Sequence, residues 1–293
     1  MTNTNDQAAS LRGGAHNGNF GIKPKKSMCC IAVASGKGGV GKTFVTVNLA
    51  VTFAQMGKKV LLVDADLGLA NADIVLGVHT DFSMQDAIFK GKSLEEVVLH
   101  TKYGIDLISA SSGSKEMMSL GSARMQMFIT DLLAFASEYE VILFDCAAGI
   151  DSNVTSFLAA APQSLIVTTP QPTAMMDVYA LTKIIYQNGL SSNLNLLVNM
   201  VENDRQGDAV AETLNSVMQR YLSGRIDLIG CLPSSDLVNN ALKRRMPFVA
   251  IWEREAISIR FKQVAASLLN RHEASDDREL KADNLVKGLI NIH

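Results

Sequence analysis

A mostly parallel β-sheet with helices on both faces is the fold class this sequence predicts, and two observations predict it. Short apolar, β-branched runs recur along the chain, and segments of helical periodicity lie between them. A run that is apolar at successive positions behaves as a strand buried on both faces, and strand alternating with helix is the pattern of a three-layer α/β/α domain.

Taken in order, the expected strands are Cys30 to Ala34, Val60 to Val63, Ile105 to Ser109, Val141 to Phe144, Leu165 to Thr168, Leu194 to Val198 and Ile226 to Ile229. Helical spacing of apolar residues marks Val45 to Met56, Met125 to Ala136, Ala174 to Tyr186 and Asp208 to Tyr221. Residues 1–27 are polar and glycine-rich, with a Lys23-Pro24-Lys25-Lys26 cluster, and read as a flexible tether carrying one short helix over Asp6 to Arg12. The folded domain is expected over 28–270, a charged linker over 271–279, and a last short helix within 280–293. No repeat of fixed period occurs.

The chain has 293 residues, 47% of them apolar and 19% charged, enough to bury a full core; this excludes intrinsic disorder and a disulfide-stapled miniprotein. With 27 basic against 29 acidic side chains, no global positive field is available to hold nucleic acid or anionic lipid, so no specific nucleic acid partner is expected. Four cysteines without a C-x-x-C pair, behind a polar start that lacks a secretory apolar core, point to thiols in a reducing cytosol. No apolar run approaches the roughly 18–20 residues of a membrane-spanning helix. The expected location is the cytosol or, at most, a membrane surface.

Parallel sheets place ligands in the loops at the carboxyl ends of their strands. The first strand runs into Gly36-Lys37-Gly38-Gly39-Val40-Gly41-Lys42-Thr43, which satisfies G-x-x-x-x-G-K-[ST] with a strand before it and a helix after it. Glycines let consecutive N–H groups turn around a phosphate chain, and the helix adds its positive N-terminal end. Lys42 would neutralise the β- and γ-phosphates and the Thr43 hydroxyl would sit on Mg²⁺. The segment Gly36 to Phe44 is therefore the expected nucleotide-binding element. Lys37 is too early to be the ordinary phosphate lysine. It is either solvated, or it reaches an anion outside its own turn, such as the nucleotide of a second subunit. Asp66 and Asp145 each follow an apolar strand at the edge where a metal-bound phosphate would lie. Asp64 has two readings, as part of the site or as a cap on the loop after it. Asn199 ends another strand and can offer a base both an amide donor and an acceptor.

Lys37 to Thr43 resembles the deviant Walker A motif of the MinD/ParA family of dimerising ATPases. Asp64-Ala65-Asp66-Leu67-Gly68-Leu69-Ala70-Asn71 looks like its switch I, and Phe144-Asp145-Cys146-Ala147-Ala148-Gly149 like its Walker B with switch II. The resemblance spans roughly residues 28 to 270 and rests on three motifs in the family's order. It implies a P-loop NTPase fold of the MinD type, Mg²⁺-dependent hydrolysis of ATP to ADP, and an ATP-dependent homodimer in which Lys37 reaches across. It also implies that Asp66 orients the attacking water, that Thr43, Asp66 and Asp145 form the magnesium site, and that Asn199, Met200, Leu232 and Pro233 form the adenine pocket. Two positions after Pro233, where relatives often carry an acid, this chain has Ser235 and delays its acid to Asp236.

Ahead of the core, Asp6-Gln7-Ala8-Ala9-Ser10-Leu11-Arg12 is similar to the D-Q-A-x-x-L-R element of the FlhG/FleN (YlxH-type) subfamily, regulators of flagellar number. That resemblance implies stimulation of the SRP-type GTPase FlhF through Asp6, Gln7, Leu11 and Arg12. It further implies flagellar transcription activators of the FlrA/FleQ type and flagellar C-ring proteins as partners. Pro170 to Leu181 also looks like that subfamily's form of the segment; read locally, it is a proline-started helix with Thr173 as a plausible cap. On the last helix, Ala282, Leu285, Val286, Leu289 and Ile292 share one face. This face either docks on the domain or, as resemblance to the family's targeting helix implies, lies reversibly on the inner membrane, with the cell pole as a candidate site.

Rival readings are a ParA-like ATPase that binds DNA non-specifically, a MinD-type division-site regulator, and an iron–sulfur reductase of the nitrogenase iron protein type. The cysteines, placed in or beside strands, read as core thiols, and Lys243-Arg244-Arg245 as a solvated helix end rather than a DNA patch.

Overall fold

The computed structural model describes residues 28–110, 115–118, 120–190 and 193–290. The tether element Asp6 to Arg12 and the terminal Ile292 lie outside the described residues. Eight strands form one sheet: β1 Cys29–Ser35, β2 Val60–Ala65, β3 Leu99–His100, β4 Ile105–Ile108, β5 Val141–Ala148, β6 Gln163–Thr168, β7 Asn193–Val201 and β8 Asp227–Pro233. Their spatial order is β3-β4-β2-β5-β1-β6-β7-β8. All neighbours are parallel except the edge pair β3/β4, of which the sequence predicts β4 but not the short β3. Two residues are too few to leave a period.

The expected fold class is the one observed. In β1 the alternate residues Cys30, Ala32 and Ala34 enter one core, and Cys29, Ile31 and Val33 enter the other. This two-sided burial is why β1 reads as a continuous apolar run. One face packs against the helices Ser122–Phe135, Ser152–Ala160, Pro172–Asn188 and Asp204–Leu222, through Leu132, Phe157, Leu181 and Leu214 among others. The other face packs against Lys42–Gln55 and the start of Ala256–Ile290. Buried rings such as Phe53, Phe157 and Phe261 each stabilise the fold by roughly 1.5–3 kcal/mol.

The helix Lys42–Gln55 is central, buried on nearly every side, and carries polar residues into the core. Each of them is satisfied there. Asn48 donates to the Phe44 carbonyl at 2.7 Å and accepts from the Val249 N–H at 3.1 Å, and Thr52 donates to the Asn48 carbonyl at 2.7 Å.

The C-terminal expectation is corrected. Residues 271–279 are not a linker: they lie within one continuous helix, Ala256–Ile290. Charge alone does not stop a helix, and this stretch contains neither glycine nor proline to do so. Ile257, Phe261, Val264, Ala265 and Leu268 anchor its first half in the core. Farther on, Arg271 donates to Asp227 at 2.8 Å and Asn193 donates to Ser275 at 2.9 Å. Leu285, Val286 and Leu289 belong to the same helix, near its end.

Two other local readings meet the structure. Thr173 is not the cap of its helix; Gln171 holds the N-cap position, with Pro172 as the first helical residue. Lys243 and Arg244 do close a helix, Asp236–Arg244, whose C-cap is Arg245 in the left-handed region. Among the described residues no helix is long and apolar enough to cross a membrane.

Candidate functional site: the carboxyl edge of the sheet

The strand β1 ends at Ser35, the chain turns through 36–41, and the helix begins at Lys42. Gly39 and Gly41 hold φ values of 83° and 87°, a region that side chains disfavour. Gly36 is required for a different reason. A Cβ there would lie 2.3 Å from the backbone of Asp177, in the first turns of Pro172–Asn188. Gly36→Ala is therefore expected to lower thermal stability by about 1–3 kcal/mol and to weaken ADP binding. Calorimetry and a fluorescent-ADP titration measure both, and an unaltered melting curve would show that the helix yields at no cost.

Lys42 and Asp145 form a buried ion pair, Nζ to Oδ1, at 2.6 Å. They come from distant parts of the chain, but β5 runs beneath the phosphate-loop helix and its residue Asp145 shares a face with Val141 and Leu143 of that core. Burial alone would depress the ammonium; the Asp145 carboxylate outweighs it and holds Lys42 above its ordinary value. Thr46, one turn after Lys42, places its Oγ1 2.9 Å from the same Asp145 Oδ1. The second carboxylate oxygen, Oδ2, is buried without a hydrogen-bond partner. Thr43 is half-buried in the first turn of the helix.

The structure decides between the two readings of Asp64. It is fully buried, and its oxygens accept from the N–H groups of Asp66 at 3.1 Å, Asn71 at 2.9 Å and Ala72 at 3.0 Å. It thus folds the loop that carries Asp66. Burial and then the neighbouring Asp145 carboxylate push its pKa up to about 7, against the pull of those three N–H groups. Asp66 is half-buried at the end of β2, and its Oδ1 accepts from the N–H groups of Gly68 at 3.3 Å and Leu69 at 3.0 Å.

Farther along the edge is a cavity of 310 Å³ whose lining includes Gly41, Phe44, Asn199, Met200, Leu232 and Pro233. The four residues expected around adenine are thus brought together, with two of the loop segment. The Asn199 amide donates to the Val40 carbonyl at 2.9 Å and its oxygen accepts from the Met200 N–H at 3.0 Å. Asn199 thus pins the phosphate loop while lining the pocket, and keeps a second amide N–H and a second carbonyl lone pair. Met200 itself has a φ of 61°, in the left-handed region. Ser235 and Asp236 also line the cavity, and Ser235 caps the next helix, accepting from the Leu237 N–H at 3.3 Å. This accounts for the serine at that position in local terms.

Lys37 is half-buried and keeps one exposed contact within its own chain. Its Nζ donates to the Thr173 hydroxyl of the same chain at 3.2 Å. The four cysteines are buried in or at the ends of strands β1, β5 and β8. Burial, with Cys29 and Cys146 nearby, pushes the Cys30 thiol up, and burial pushes Cys146 up to about 12. These are inert thiols rather than ligands. Sequence reasoning missed Thr46, although its i+4 spacing from Lys42 places it on the same helix face.

The donor set suits a magnesium-bound nucleoside phosphate. A left-handed glycine loop, a buried ammonium, a buried carboxylate oxygen without a partner and an adjoining cavity lie along one edge. Lys42 and the loop N–H groups would hold phosphate, and Thr43, Asp66 and Asp145 would hold the metal, which supplies charge neutralisation at the phosphates.

An AAA-domain family model matches residues 28–200. The antiactivator FleN of Pseudomonas aeruginosa is 34% identical over 235 residues, covering 80% of this chain and 84% of that protein. The flagellum site-determining protein YlxH of Helicobacter pylori is 32% identical over 244 residues, covering 83% and 82%. In fold, the chain is similar to the septum site-determining protein MinD of Pyrococcus horikoshii complexed with Mg-ADP, with a TM-score of 0.71, 22% identity and coverage of 83% and 96%. A ParA family ATPase of Chlorobium tepidum follows, with a TM-score of 0.69, 20% identity and coverage of 82% and 98%.

Proposed function

Since this chain belongs to the MinD/ParA family of ATPases, in the group of FleN and YlxH, we propose that it is a nucleotide-operated switch that regulates the number or placement of flagella. The observation that carries this reading is the likeness to the antiactivator FleN over four-fifths of the chain, joined to a phosphate loop with a buried Lys42–Asp145 pair and an unpartnered carboxylate oxygen.

In this reading ATP with Mg²⁺ occupies the loop and the 310 Å³ cavity, and two chains close face to face. Lys37 then leaves Thr173 and supplies positive charge to the partner copy's phosphates. Hydrolysis to ADP and phosphate, with Asp66 orienting water and Lys42 on the phosphates, opens the pair. The product that matters is a change of partners. Asp6, Gln7, Leu11 and Arg12 act on an FlhF-type GTPase. FlrA/FleQ-type activators and C-ring proteins bind in particular nucleotide states. Leu285, Val286, Leu289 and Ile292 supply a weak apolar face for the inner membrane, and pairing two copies strengthens it by avidity. The protein then cycles between cytoplasm and membrane surface.

The test is GTP turnover by an FlhF-type GTPase with and without a peptide of residues 1–20, and with a Gln7→Ala peptide as control. Stimulation that disappears with Gln7 supports the reading. A GTPase that ignores the wild-type peptide removes FlhF from the partners.

A further inference from the structure

Asp145 Oδ1 receives two donors, the Lys42 ammonium at 2.6 Å and the Thr46 hydroxyl at 2.9 Å. The same hydroxyl oxygen is also 2.9 Å from the Lys42 carbonyl, one turn earlier on its own helix. A hydroxyl has one proton, so it serves one of these two acceptors at a time. While Lys42 remains on Asp145, Oδ1 keeps a donor whichever acceptor the hydroxyl serves. Lys42 cannot keep that position when it neutralises a phosphate chain. The carboxylate would then lose its strongest partner, in a site from which water is excluded, with Asp145 fully buried.

We propose that Thr46 is the positioning residue that takes over Asp145 when Lys42 turns to the phosphates, keeping Oδ2 aimed at the metal and so setting the Mg²⁺ affinity of the nucleotide complex. The inference rests on the Mg-nucleotide reading of the site. Its geometry is built in. Lys42 and Thr46 stand at i and i+4 on one helix face, over a strand whose carboxylate has one oxygen toward them and the other buried and unpartnered. The Thr46 proton needs only a rotation about the Cβ–Oγ bond to leave the Lys42 carbonyl for the carboxylate. The ammonium departs, the hydroxyl replaces it, and Asp145 remains in place.

The experiment titrates Mg²⁺ into full-length protein with a fluorescent ADP analogue, for wild type, Thr46→Val, Thr46→Ala and Thr46→Ser. Replacing a residue that orients a metal-site carboxylate costs about 10- to 100-fold in metal affinity. The Mg²⁺ concentration for half-maximal tightening should rise by that factor, about tenfold or more, in Thr46→Val and Thr46→Ala. Thr46→Ser should restore it, while binding in EDTA stays at the wild-type level in all four. A wild-type Mg²⁺ response in the valine and alanine variants overturns the proposal. So does a serine variant as impaired as alanine, because packing of the methyl group would then be the cause. If valine does not fold, the alanine–serine pair, which differs only in the hydroxyl, decides alone. A wild-type protein whose ADP affinity ignores Mg²⁺ overturns the site reading itself, a different failure visible in a different sample.

Discussion

Changing Asp66 to Ala is expected to lower ATP turnover by about 10²- to 10⁴-fold, the scale of removing a group that handles the attacking water, while ATP still binds. The separation follows from what Asp66 touches. Its Oδ1 accepts from two N–H groups of its own loop, Gly68 and Leu69, and it shares no contact with the Lys42–Asp145 pair. Half-buried, it leaves behind backbone groups that water can reach, so the fold survives. ATP-bound protein should accumulate and, by the proposed cycle, accumulate as the dimer; phosphate release and light scattering with ATP measure the two. Turnover within a few-fold of wild type would move the water-orienting role elsewhere. Lys37→Ala provides the contrast, a nucleotide-binding chain that stays monomeric. A Lys37→Ala protein that still paired fully with ATP would remove the role across subunits.

Lys42→Ala should have the largest effect on both folding and binding. Truncating one partner of a buried ion pair leaves an uncompensated charge, at a cost of about 3–5 kcal/mol, and here Asp145 would retain only the Thr46 hydroxyl. Nucleotide binding should vanish because the phosphate counter-charge is gone. The double variant Lys42→Ala/Asp145→Asn separates the effects: stability should recover, since no buried charge remains, and binding should not. Denaturant unfolding and ADP titration on the same samples measure this. A single variant as stable as wild type would mean that the pair lies open to water.

Much of the fold was legible because its strands are buried on both faces, which writes continuous apolar runs into the chain at β1, β2, β5, β6 and β7. The phosphate loop was legible because its backbone geometry depends on glycine at set positions, a requirement local in sequence. Segments whose neighbours decide their state were not. Residues 271–279 look like a charged linker on composition, yet their helix runs on from a half anchored by Phe261 and Leu268, with Arg271 tied to Asp227 of another element.

The three-layer α/β class, the loop from Gly36 to Thr43, and the carboxylates and asparagine that end neighbouring strands are written in the sequence, because each depends on residues adjacent along the chain. It took the folded chain to show that Asp64 folds the loop of Asp66, that Asn199 is bound to Val40, that Lys37 contacts Thr173, and that Thr46 shares Asp145 with Lys42. The last three share one cause. Asn199–Val40, Lys37–Thr173 and Thr46–Asp145 join elements distant in sequence that become neighbours when parallel strands take the order β2-β5-β1-β6-β7 and the helices settle on them. That order is set by packing of the whole sheet, and no local pattern of residues encodes it.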